Sequence, residues 1–290
     1  MTLFNQLLNG IQIGSIYALV ALGYSMVYGI VRLINFAHGD IIMVGAYATW
    51  FLLTRMGLPV WASIICAIVF CALLGMFIEK VAYKPLRNAA RISLLITAIG
   101  ISFFLQNFVQ LIFSADPRVL PNFFEGAVPL FGTTIPLVTI VVIVVSICLM
   151  LGLTQLVKKT KIGKAMRAVS EDQDAAQLMG ISLNTTISFT FGIGSALAAV
   201  ASILYISSYS QISPTMGSML GIKAFVAAVL GGIGSIPGAV MGGLLIGVTE
   251  SLTKGYISSR LADAVVFSIL IIVLLIRPSG ILGVRSNEKV

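Results

Sequence analysis

The sequence predicts an all-α, polytopic integral membrane protein, and three observations carry that prediction. Hydrophobic residues make up 58% of the chain and charged residues only 10%, where a typical soluble domain carries about 25% charged residues; the mean hydropathy is +1.06. Residues 1–31, 56–78, 92–115, 126–157, 175–222 and 224–249 contain no Asp, Glu, Lys, Arg or His, and about 20 apolar residues suffice for an α-helix to cross ~30 Å of hydrocarbon. These runs are continuous and lack the short alternating segments of a membrane β-barrel. A soluble globule built from this chain would have too little water-facing chemistry.

Turn signals and charge clusters divide the chain into about eight hydrophobic segments: 7–30, 41–54, 59–78, 92–114, 135–157, 187–207, 222–249 and 261–276. The first follows Met-Thr-Leu-Phe-Asn-Gln, which has no charged n-region, so it reads as a retained span and not a cleaved signal. The second is short for a span unless it borrows from 35–40. Lys80, Lys84, Arg87 and Arg91 follow the third segment. Lys158, Lys159, Lys161, Lys164 and Arg167 follow the fifth, and Arg277, Arg285 and Lys289 follow the last. Loops 115–134 and 208–221 hold only Arg118. The positive-inside bias makes the three clusters cytoplasmic and both loops external, with an external N-terminus and 32–40 either near the cytoplasmic side or folded back into the membrane. The net charge of +8 is then a matter of orientation and not of nucleic-acid binding.

Simple alternation breaks at 222–249, because one crossing there and one at 261–276 would put the basic tail outside. A re-entrant hairpin removes the conflict. Gly231, Gly232, Gly234, Pro237 and Gly238 interrupt this segment, and glycine with proline breaks a helix. Two half-helices of about 14 residues would each reach only ~21 Å, so the hairpin is expected to turn in mid-membrane. Broken backbone at that depth must be buried in protein or line a cavity, and transporters place substrate sites at such breaks.

The polar interval 158–186 is expected to form a cytoplasmic pair of short amphipathic helices ended by Gly180, although an ordinary basic loop that only sets orientation has the same composition. Its apolar positions are Ala165, Ala168, Val169, Ala175, Ala176 and Met179. Asn35, His38 and Asp40 form a polar knot around the only histidine in the chain. Ionisable groups near membrane depth are functional candidates, while Asn and Asp beside Gly39 also make a good helix cap or turn. Lys223 and Glu250 bracket the broken hairpin near its external ends, where snorkelling to the interface is the favoured reading and contact with a zwitterion the other. The pairs Gly10/Gly14, Gly217/Gly221, Gly238/Gly242 and Gly243/Gly247 are expected to let helices approach closely.

Cys66, Cys71 and Cys148 lie in apolar runs and suggest neither a disulfide framework nor a metal site. No phosphate-binding loop, nucleophile with a base, or cluster of metal ligands is visible. The chain therefore reads as neither an ATPase nor a metalloenzyme.

The interval 158–186 resembles the coupling loop of ABC-importer permeases, whose hallmark is Glu-Ala-Ala, three residues, then Gly. Here Asp174-Ala175-Ala176, three residues, then Gly180 matches it with Asp for Glu. The Ile-x-Leu-Pro that closes the hallmark in many permeases is absent. More specific are Ile34-Asn35-Phe36-Ala37-His38-Gly39-Asp40, Gly163-x3-Arg167-Ala168, Leu178-Met179-Gly180-Ile181, Gly231-Gly232-Ile233-Gly234-Ser235 and Arg277-Pro278-Ser279-Gly280-Ile281-Leu282-Gly283. Together, over essentially the whole chain, they resemble the LivH branch of the high-affinity branched-chain amino acid permeases.

That resemblance implies a single permease domain over 1–290 in a bacterial cytoplasmic (inner) membrane. It implies a second, homologous permease subunit, two cytoplasmic ATP-binding subunits that carry ATP and Mg, and an external substrate-binding protein. The chain itself would bind no cofactor. Gly163, Arg167, Ala168, Glu171, Asp174, Ala175, Ala176 and Gly180 would couple to the ATPases. Asn35, His38, Gly39, Asp40, Gly231, Gly232, Gly234, Pro237 and Gly238 would form the pathway or its gate. Leucine, isoleucine or valine is the implied cargo; urea or a short amide is the alternative, and a self-sufficient secondary transporter without ATPases is a rival of another class.

Overall fold

The computed structural model describes residues 2–31, 35–87, 89–120, 123–130 and 133–283. Arg32, Ile34, Arg285 and Lys289 lie outside them. Long uncharged runs become helices because only a helix satisfies every backbone donor and acceptor within its own segment when water is absent. The chain forms α1 (Thr2–Val31), α2 (His38–Thr54), α3 (Val60–Ile78), α4 (Arg91–Phe113), α5 (Leu137–Lys159), α6 (Lys161–Glu171), α7 (Gln173–Leu178), α8 (Leu183–Tyr209), α9 (Met216–Gly231), α10 (Ile236–Tyr256) and α11 (Ala262–Ile276). A π-helical turn (Glu79–Tyr83) and a 3-10 turn (Lys84–Leu86) extend α3.

Among the described residues, six helices are long and apolar enough to cross a membrane: α1, α3 with its extension, α4, α5, α8 and α10. At 17, 16 and 15 residues, α2, α9 and α11 are shorter. The protein is a multi-pass, all-α membrane protein. The core lies around α1 and α8, which are buried over most of their length, while α3, α4 and α5 leave most of theirs exposed.

Small residues set how closely the central helices approach. A Cβ on Gly10 would lie 2.7 Å from the Val248 Cα, and one on Gly14 would lie 2.9 Å from the Gly243 oxygen. The expected pairs Gly10/Gly14 and Gly243/Gly247 thus meet each other and bring α1 and α10 into backbone contact, antiparallel. Between α2 and α8, Gly45 faces Ala199, with the hypothetical Cβ at 3.1 Å.

The basic clusters gather at one end of the bundle. Arg87 donates to Asn184 at the start of α8 (2.8 Å), Arg167 donates to the Lys158 carbonyl (3.2 Å), and Pro278 and Ser279 share a cavity with Lys158 and Arg167. Opposite them, two small antiparallel ladders cover the other end. β1 (Arg118–Val119) pairs with β4 (Gln211–Ile212), and β2 (Ala127–Leu130) pairs with β3 (Thr133–Pro136). The sequence suggested only loops there, since two- to four-residue strands leave no periodic signal.

The glycine-broken segment departs from expectation in two ways. The helices on either side of the break are 16 and 21 residues long, not about 14, so α10 alone reaches span length. Their turn also lies at the basic end of the bundle, not in its middle: Gly234 sits by Gly29, two residues before α1 ends at Val31, in the cavity that holds Lys158 and Arg167. The half-helix estimate failed because α9 begins six residues before the expected segment 222–249, inside what read as an external loop, and α10 ends seven residues beyond it. The glycines mark a tight turn between two packed helices, with φ of +106° at Gly232 and +91° at Gly234, values only glycine adopts readily.

Candidate translocation and coupling site

The polar knot lies alongside α1 and not beyond its end. The His38 imidazole lies against Gly23, where a Cβ would collide with the ring. Gly23 is eight residues before the end of α1, roughly 12 Å along the axis, so α2 starts well inside the bundle. Asn35, His38 and Asp40 are all buried.

Each is held by a different element. Tyr83, in the π-helical turn, donates to Asn35 Oδ1 at 2.7 Å. Gln106 of α4 donates to Asp40 Oδ1 at 2.8 Å and approaches Ser218 of α9 at 3.0 Å. The His38 ring stands edge-on to Tyr24, centroids 4.7 Å apart. Its Nε2 is buried with no hydrogen-bond partner among the described residues.

Gly39 packs against Gly217 and Gly221, so the N-termini of α2 and α9 converge beside this knot. Each helix start carries positive partial charge, which Asp40 in the first turn of α2 complements. The result is a sparse set of buried polar groups among apolar helices.

The second group of expected pathway residues lies elsewhere. Gly231 and Gly238 touch backbone to backbone. Ser235 caps α10 by accepting from the Gly238 amide at 3.2 Å, with Pro237 in the first turn. The tail docks on this turn, the Ile281 amide donating to Leu230 O and the Leu282 amide to Gly231 O, both at 2.9 Å. Gly234 and Pro237, with Ile233 and Ser235, line a cavity of about 1240 Å³ that Lys158 and Arg167 also line. The knot and the break are thus separate sites, one inside the bundle and one at its basic end.

The coupling interval forms two helices, as its alternation of apolar and charged positions suggested. Thr160 accepts from the Gly163 amide (3.0 Å) to cap α6. Asp172 accepts from the amides of Asp174 and Ala175 (2.9 Å each) to cap α7. Gly180 closes the pair at φ +81°. Gly163 sits against the last turn of α5, where its hydrogen alone fits.

The buried face is Gly163, Met166, Val169 and Ala176, whereas Ala168 is half-buried and Arg167, Glu171, Asp174 and Ala175 are exposed. Met179, expected on the apolar face, is instead 83% exposed, and Leu178 is 89% exposed. Two large apolar side chains are thus exposed at the tip of a charged helix pair.

Residues outside the expected set join the two regions. Gln173 Nε2 of α7 donates to the Ile30 carbonyl of α1 at 3.0 Å, just before the chain turns back toward Asn35. Glu79, fully buried in the π-helical turn, pairs with Arg87 and accepts from Ser188 of α8. The same turn carries Tyr83. Such a widened turn within a helix frequently marks a functional site. An uncharged polar side chain in mid-span, as at Gln106, was the available signal for part of this network; nothing local marked Ser218, Gln173 or Tyr83.

Lys223 and Glu250 do not snorkel. Lys223 Nζ lies 2.8 Å from Glu250 Oε1 and 2.6 Å from Asp263 Oδ1, and Lys254 Nζ lies 2.6 Å from Glu250 Oε1. Tyr17 donates to Glu250 Oε2 at 2.8 Å. Glu250 is 1% exposed. A carboxylate so placed needs these partners, and together they tie α1, α9, α10 and α11.

An all-α bundle with several membrane-length helices, a buried polar knot among them and a short helix pair at its basic end defines a multi-pass membrane protein. The family model described as "Branched-chain amino acid transport system / permease component" matches residues 6–274, and the chain belongs to that family. It is 45% identical to the high-affinity branched-chain amino acid transport system permease protein LivH of Escherichia coli (strain K12), covering 98% of this chain and 97% of the relative. The permease protein BraD of Pseudomonas aeruginosa is 46% identical with the same coverage. The probable LivH of Methanocaldococcus jannaschii is 34% identical over 93% of this chain and 89% of its own length.

Proposed function

We propose that this chain is the membrane-spanning subunit of an ATP-driven importer of branched-chain amino acids in a cytoplasmic membrane. The observation that carries the reading is likeness over nearly the whole chain to relatives named as permeases for these substrates. The subunit works beside a second permease, two ATP-binding subunits docked on α6 and α7, and an external binding protein. ATP and Mg act on the ATPases; this chain supplies no catalytic group.

Closure of the ATPases displaces α6 and α7. The Gln173–Ile30 hydrogen bond passes that motion to the end of α1, from which 35–40 hangs. The knot then shifts against Gly217 and Gly221, and access alternates between the two ends. Asn35, His38, Gly39 and Asp40 are the inner gate. Gly234 and Pro237 line the vestibule at the basic end, and Gly231, Gly232 and Gly238 hold the tight turn that presents them.

Proteoliposomes holding all the partner chains test this reading. ATP-dependent uptake of leucine, isoleucine or valine is expected, each competing with the others and none competed by glutamate or arginine. Uptake of urea or a short amide without leucine transport would keep the architecture and overturn the substrate.

A further inference from the structure

A groove between α2, α3 and α4 takes no part in coupling or transport as described. It has a volume of about 480 Å³ and apolar walls that include Tyr47, Phe51, Phe70, Leu74, Leu105 and Phe113. Its walls run from Phe51 and Phe113 at the ends of α2 and α4 to Leu74. On α3 the wall runs from Cys66 to Leu74, eight positions or roughly 12 Å along the helix axis, which fits within one leaflet of a ~30 Å hydrocarbon core.

Two guanidinium groups stand at the mouth. Arg55 follows α2 directly, its Cζ 5.9 Å from the Trp50 ring centroid, and the Arg118 Cζ lies 5.4 Å from the same centroid. Arg118 also donates to the carbonyl of Phe113, a wall residue, at 2.8 Å, while its Nε is buried without a partner among the described residues. Neither arginine pairs with a carboxylate among the described residues. Planar guanidinium forks match phosphate oxygens, and an aromatic ring at a bilayer interface sits at headgroup level. A free phosphate would leave the apolar groove unused, and a hydrocarbon alone would leave the arginines unmatched.

We propose that this groove is a phospholipid site, with the lipid phosphate bound between Arg55 and Arg118 and one acyl chain lying along the groove to Leu74. Trp50 holds both arginines over the mouth, and Phe113 joins the mouth to the wall through its edge-to-face contact with Trp50, 5.8 Å between centroids.

Photo-crosslinking on the assembled transporter in nanodiscs tests the site. The probe is phosphatidylglycerol carrying a diazirine in one acyl chain, and adducts are mapped by peptide mass spectrometry. Labelling of peptides holding Phe70, Leu74 and Leu105 is expected to exceed that of the exposed α11 face at Ile271 and Leu275 at least five-fold. Excess unlabelled phosphatidylglycerol should compete, and diacylglycerol, which lacks the phosphate, should not. The double variant Arg55→Gln, Arg118→Gln should lower groove labelling to the level of α11. The competition arm uses the unaltered protein, so a poorly folded variant leaves the question decidable. Uniform labelling, equal competition by diacylglycerol, or groove labelling seen in the isolated chain but absent from the assembled transporter would each overturn the proposal, the last by showing that a partner subunit covers the groove.

Discussion

His38 is held in place by the absence of a side chain on its neighbour. Gly23 leaves room for the imidazole, so Gly23→Ala must displace the ring or separate α1 from α2. Overpacking of this kind costs about 1–3 kcal/mol. The variant should lower the thermal midpoint in detergent and reduce uptake at least ten-fold. Gly100→Ala, whose Cβ would meet nothing within 4 Å, should leave both unchanged. The Lys223–Glu250 pair gives a second residue-scale test. Glu250→Leu strands Lys223 on the half-exposed Asp263 and leaves Tyr17 without its acceptor. Removing one partner of a buried pair costs about 3–5 kcal/mol, and a loss near the low end is expected, given the remaining contact. A measured loss of ~0–1 kcal/mol, typical of an exposed pair, would contradict the burial described here. The identity of these charges was plain from the sequence. Their pairing was not, because Lys223 and Glu250 are 27 positions apart and only the packing of α9 on α10 brings them together.

The helix pair α6–α7 shows how much an element discloses on its own. Its charged face and closing Gly180 are local chemistry, legible before any fold is known, while the caps at Thr160 and Asp172 came from the structure. Which apolar residues face inward is not local, and the outward display of Leu178 and Met179 emerged only from the packed chain. Replacing both with serine removes no buried contact, so membrane abundance should be unchanged while co-purification of the ATPase falls at least ten-fold and uptake is lost. Reversing the exposed Arg167 to Glu should act in the same direction, since surface substitutions seldom change stability by more than ~0.5 kcal/mol. Gln173→Ala is expected to behave differently: the ATPase still co-purifies, but transport per ATP hydrolysed drops, because the docking surface survives and the link to Ile30 does not. Full transport by Gln173→Ala would remove that link from the mechanism.

At the scale of the whole molecule, the arrangement of α9 and α10 decides the topology. They run toward the basic end and back, so the polar segments before α9 and after α10 share a side. Single cysteines at Ser213 and Ser258 should both react with an impermeant reagent added outside, and one at Ser235 only with reagent added from the cytoplasm. Labelling of Ser213 and Ser258 from opposite sides would exclude the antiparallel pair. A Ser235 cysteine reachable from neither side would return the turn to mid-membrane.

By itself the sequence determined that the protein lives in a bilayer and which short motifs carry its family's features, because transfer free energy and short motifs are additive or local properties. Tertiary structure alone decided the depth of the glycine turn, the union of Gly10 and Gly14 with Gly243 and Gly247, and the convergence of Asn35, His38 and Asp40 with Tyr83, Gln106 and Ser218. Those contacts depend on how closely whole helices approach, and hence on pairs of small or polar residues far apart in the chain. A hydropathy profile averages over such pairs and loses them.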